Sequence, residues 1–123
     1  MRFRALLLVA LVVMALGGCA EEDREAAVGG GALDQIGKAH RVQLEAALRS
    51  AAVSEEAHFA VNGTYASSVG ELTASGLTIP PDVSLVIAAA TPSAFCVQGT
   101  HAQLEGVTLH YANSPGAIQE GPC

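Results

Sequence analysis

Tryptophan is absent, and the aromatic residues together make up only 4% of the 123 residues. The core therefore has to be built from Ala, Val, Leu and Ile. Such residues bury less apolar area each, so a chain this short needs a covalent staple. Basic residues are scarce as well: 6 Lys+Arg face 12 Asp+Glu, and Arg2 and Arg4 lie in the first four positions. The remaining 4 against 12, a balance of −8, cannot neutralise a phosphate backbone, which argues against nucleic acid as a partner. The same charge repels anionic headgroups, so any membrane attachment has to come from something other than electrostatics. The longest apolar run, at residues 5–16, has 12 residues, short of the roughly 20 that a spanning helix needs.

What is present begins with Met1-Arg2-Phe3-Arg4, a short basic segment ahead of that apolar run. The order is that of a secretory signal peptide. Leu16-Gly17-Gly18-Cys19 then resembles the bacterial lipobox, in which a cysteine is acylated before the leader is cut. The resemblance implies a diacylglyceryl lipid on Cys19, a location on the extracytoplasmic face of the cell membrane, and stable anchoring through two chains at about 0.8 kcal/mol per buried methylene. The plainer alternative is an ordinary leader cut that leaves Cys19 as a stray thiol. Residues 20–25 are polar and mostly acidic, and Gly29-Gly30-Gly31 cannot pack a core. The stretch 20–31 thus reads as a disordered tether. The chain divides into a leader at 1–18, a lipidated cysteine with its tether at 19–32, and one globular domain at 33–123.

If Cys19 carries lipid, Cys96 and Cys123 remain, and an oxidising compartment pairs them. That bridge closes a loop of 28 residues and contributes about 3.5 kcal/mol on the chain-entropy model. Their spacing fits neither a zinc site nor a two-residue redox motif.

Leu44, Ala47, Leu48 and Ala51 recur at helical steps, with Ile36 before them and Phe59 after, predicting one amphipathic helix over 33–61. Asp34 is its expected N-cap, and Asn62-Gly63 its stop, with Gly63 in the left-handed conformation. Asn62-Gly63-Thr64 also spells a glycosylation sequon, but a turn is the better reading in a bacterial lipoprotein. Residues 64–82 read as mostly loop, anchored by Leu72 and Leu77 and ended by Pro80-Pro81. Three strands are expected at 83–89, 94–103 and 107–113, with turn signals at Thr91-Pro92-Ser93 and Glu105-Gly106. Short connections make them an antiparallel meander. The expected fold is therefore α+β: one long N-terminal helix packed on a three-stranded antiparallel sheet, with a C-terminal disulfide.

This order of parts resembles the globular region of type IV pilins and pseudopilins. The likeness rests on Gly63-Thr64-Tyr65-Ala66-Ser67-Ser68 through Leu72 after the helix, and on Phe95-Cys96-Val97 and Gly121-Pro122-Cys123 around the closing disulfide. It covers residues 33–123. It implies a domain whose disulfide region carries an exposed interaction surface, for a protein partner in the envelope or in a pilus or secretion apparatus. Ala66 stands where the family usually has Pro. The long apolar N-terminal helix that builds a filament core is replaced by Cys19 and an acidic tether, so the resemblance implies anchoring rather than polymerisation.

Candidate chemical groups are few. A two-residue turn at Glu105-Gly106 would place His101 opposite His110, and cross-strand neighbours ~5 Å apart can share a metal. Zinc would need a third ligand, for which His58 or Glu105 are the suggestions. The plainer reading is two solvated imidazoles beside Gln103 and Thr108, and Gly99 as a bulge would shift the register. Glu55 and Glu56, as helix neighbours, point apart and form no catalytic dyad. Glu55, four residues before Phe59 on the apolar stripe, is expected to hold a loop backbone amide. Ser67 and Ser68 have no visible base, and no elbow motif or phosphate loop is present. The sequence thus predicts a non-catalytic domain without a cofactor, with a His101/His110 metal or small-ligand site as the alternative.

Overall fold

The computed structural model describes residues 31–123. The leader, Cys19 and the tether through Gly30 lie outside the described residues. Helix α1 spans Gly31–Asn62 and a short helix α2 spans Val69–Ala74. Four strands follow: β1 Val83–Ala90, β2 Phe95–His101, β3 Thr108–Ala112 and β4 Ala117–Glu120. They form one antiparallel sheet in the order β1-β2-β3-β4. The architecture is α+β as expected, and Ile36–Cys123 is its compact unit.

The apolar stripe sets how α1 lies. Leu44, Ala47, Leu48, Ala51 and Ala52 are buried, while Ile36 at the expected start of the stripe is 53% exposed. Helix and sheet approach closely at Gly99, where a β-carbon would stand 2.8 Å from Leu85 Cδ2 and 2.9 Å from Leu44 Cδ1. The register slips not at Gly99 but on β1, between Ile87 and Ala89. Gly99 is a packing residue.

The helix ends where the sequence placed its stop. Gly63 adopts φ 73°, and its N–H donates to the Phe59 carbonyl at 2.7 Å. The start differs: Gly31 already belongs to α1, so Asp34 lies in its first turn and is not its N-cap.

Two elements exceed the sequence expectation. Within the segment read as loop, Ser68 caps α2: it accepts from the Glu71 N–H, while Glu71 returns its carboxylate to the Ser67 and Ser68 N–H groups. That Ser-x-x-Glu box satisfies donors a single turn of helix would leave orphaned. Leu72 is fully buried beneath it. The meander also has a fourth strand. Gly116 at φ 80° donates to the Ala112 carbonyl and turns the chain so that Ala117–Glu120 pairs with β3. Its Ala-Ile-Gln-Glu sequence is too short and too mixed to show a period.

The inner face of the sheet presents Val83, Leu85, Phe95, Val97 and Leu109 to the helix. Phe59, Tyr65, Phe95 and Tyr111 make a row of rings with successive centroids 4.7, 4.8 and 6.1 Å apart. Only four aromatics lie in the domain, and the fold brings all four together. The core is thus less purely aliphatic than composition suggests.

Candidate functional site

The chemistry-bearing side chains sit in three places. On the inner face, His101 closes β2 and is 3% exposed. Its Nδ1 accepts from the Gln103 N–H at 3.0 Å, which leaves the ring proton on Nε2, 2.8 Å from Gln43 Oε1. The His40 ring lies 4.6 Å from it. Both nitrogens of His101 are thereby engaged. Gln43 and His40, three residues apart on one helix face, were not singled out from sequence, because their partner lies 58 residues away from Gln43.

On the outer face, His110 lies opposite Gln98. Its Nδ1 donates to the Gly121 carbonyl at 2.8 Å, and its Nε2 is 3.0 Å from Gln119 Oε1. The alternative His101–His110 pair does not form, and the plainer reading of two solvated imidazoles fails for His101, which is buried on the inner face. The β2–β3 connection is longer than a two-residue turn: Leu104 donates to the His101 carbonyl and Val107 to that of Leu104. As a result Gln98, not His101, faces His110. Strand alternation then puts the two histidines on opposite faces of the sheet, where they cannot share an ion. Glu105 lies in that connection, and His58 donates from α1 to the Thr64 carbonyl at 2.9 Å. Among the described residues no group of three or more His, Cys, Asp or Glu side chains is placed to hold a metal.

The outer face also carries the C-terminal strap. Beyond β4, Gly121 donates to the Thr108 carbonyl and Cys123 donates to Gln98 Oε1. Cys123 then bonds to Cys96, as the cysteine count required. The strap binds the last three residues across β3 onto β2. Around it lies a surface of amides and an imidazole, formed by Gln98, His110 and Gln119. Its groups form hydrogen bonds but include no nucleophile with a base.

The third place is Glu55, fully buried in α1. Its Oε2 accepts the Ala66 N–H at 2.7 Å, the loop-amide role its position on the stripe predicted, while Oε1 has no hydrogen-bond partner. Burial pushes its carboxyl above the usual range, and the Ala66 amide opposes this. Glu56 lies exposed and accepts from the Tyr65 hydroxyl. Ser67 and Ser68 serve the α2 cap. On the side of α1 facing the β3–β4 hairpin, a groove of about 610 Å³ is lined by Arg49, Val53, Glu56, Phe95, Tyr111 and Gly116, among others. It puts one cation and one anion beside an aromatic floor.

Among the described residues no helix is long and apolar enough to cross a membrane. Compared with known proteins, the chain matches no family model and no curated protein.

Proposed function

We propose that this chain is a lipid-anchored extracytoplasmic protein, held to the cell membrane through Cys19, whose pilin-like domain binds a protein partner in the envelope or in a pilus or secretion apparatus. The observation that carries the reading is the division of the cysteines. Cys96 and Cys123 bond to each other, which leaves Cys19 alone at the end of a leader that has the lipobox order. An odd cysteine with an assigned partner set is what acylation of the first one requires. The pilin-like part is supported by a long helix laid over an antiparallel meander whose C-terminus is tied back by a disulfide.

Binding rather than catalysis is supported by how the polar side chains are occupied. Ser67 and Ser68 cap a helix, Glu55 holds a backbone amide, and His101 and His110 are committed to internal hydrogen bonds. The strapped outer face around Gln98, His110 and Gln119 is the surface we assign to the partner.

Fractionation of cells producing the full chain or Cys19→Ser tests this. The native chain is expected in the membrane fraction, and Cys19→Ser is expected to leave it. A Cys19→Ser chain that is processed and partitions like the native one would sink the lipid anchor.

A further inference from the structure

Strand β1 is one of the two edges of the sheet, with the short helix α2 lying close to it. The ladder phase shows which of its backbone groups are unused. Ala102 donates to the Asp82 carbonyl at 2.8 Å, and the register runs on from there through Val83↔His101, Ser84↔Thr100 and Val86↔Gln98. In an antiparallel ladder, hydrogen-bonded residues alternate with residues that turn both N–H and C=O the other way. Ser84 and Val86 therefore bond to β2, whereas Leu85 and Ile87 turn theirs outward. Val83 does too, but its N–H is taken by the Pro80 carbonyl. No hydrogen bond from a described residue reaches the outward groups of Leu85 or Ile87.

Directional, unpaired backbone groups along an extended segment select another extended segment. Charge and pattern say which one. Residues 83–104 contain no Asp, Glu, Lys or Arg, in a chain of net charge −6. Two acidic copies can therefore meet along β1 without setting carboxylate against carboxylate. Val86 on the outer face is 53% exposed, and the residue opposite it on β2 is the polar Gln98. From the fold alone, and independently of the anchor, we infer that β1 pairs antiparallel with β1 of a second copy about a two-fold axis at Val86.

In that register Leu85 of each copy meets Ile87 of the other, so the four outward groups of these two residues find partners on each strand. The two Val86 side chains face each other at the closer, non-hydrogen-bonded position. Ser84 of one copy lies opposite Ala88 of the other, so the two Ser84 residues stay apart. The sheet becomes eight strands, with both copies' straps on one outer face.

The test uses the full chain extracted in detergent, with protein mass read by light scattering and corrected for detergent. The native protein is expected at twice the single-chain mass, and Val86→Lys at the single-chain mass with an unchanged far-UV circular dichroism spectrum. In parallel, Val86→Cys is expected to give a disulfide-linked dimer on a non-reducing gel, and Ser84→Cys is not. A native chain that stays monomeric overturns the pairing, as does a dimer that survives Val86→Lys. Equal cross-linking of the two cysteine variants would overturn the register.

Discussion

The two edges of one sheet are built by opposite rules. The β4 edge has four residues and ends on Glu120, which ion-pairs with Arg41 of α1. Pro115 and Pro122 flank it, and the chain beyond is bonded to Cys96. The β1 edge has eight residues, no charge, and no bond from a described residue on its outward groups at Leu85 and Ile87. Short length, charge and proline are the devices that keep an edge from pairing with another chain. The β4 edge carries all three and a covalent lock besides. The β1 edge shares only the flanking prolines, Pro81 and Pro92, and carries a bulge. The difference separates a locked edge from one whose outward backbone groups at Leu85 and Ile87 take no bond from a described residue.

The largest way to break this contrast is to cut the lock. Cys96→Ser/Cys123→Ser, or reduction of the native protein, is expected to lower the unfolding free energy by about 2–5 kcal/mol. Urea unfolding with and without reductant reads this directly, and an unchanged midpoint would show that β4 and its strap hold without the bridge. Next, Gly99→Ala pushes a methyl group into Leu44 and Leu85 beneath the β1–β2 ladder. Overpacking of this kind costs about 1–3 kcal/mol, and a variant as stable as the native chain would show that the helix can lift off without loss.

A pH titration asks about the core under both edges. Because burial raises the Glu55 pKa above its ordinary value of about 4.5, the folded state holds that proton more tightly than the unfolded one. The favourable contribution is fully present below the unfolded pKa and is lost as pH rises through the folded value. Native stability relative to Glu55→Gln is therefore expected to fall as pH rises above about 4.5. A difference that is flat in pH, or of opposite slope, would contradict the burial. The smallest effect belongs to Arg41→Ala. Its ion pair with the exposed Glu120 is a surface contact, so the loss expected in thermal unfolding is close to nil. A larger loss would mean that charge, and not the disulfide, secures the β4 edge.

Much of the framework was legible because it follows local rules. Leu44, Leu48 and Ala51 announce the buried face, Gly63 the helix stop, and the even remainder of cysteines the bridge. Glu55 was legible too, since a carboxylate on an apolar stripe needs a donor. The rest depends on distances along the chain that no local pattern measures. The β2–β3 connection looked like a two-residue turn at Glu105-Gly106, yet backbone bonds from Leu104 and Val107 lengthen it, and that alone moves His110 from His101 to Gln98. β4 has no period to read. The Ser68-x-x-Glu71 box was in plain sight, but a helix of six residues buries too little to leave a stripe. Gly99 showed only that a side chain was missing, and the closeness of Leu44 and Leu85 supplied the reason.

The most direct test of the cysteine division, on which both the anchor and the locked edge rest, is the intact mass of the membrane-extracted protein before and after reduction. A mass that begins at an acylated Cys19, and rises by two hydrogens on reduction, is the expected result. An unacylated mass that reduction does not change would contradict the anchor and the bridge together.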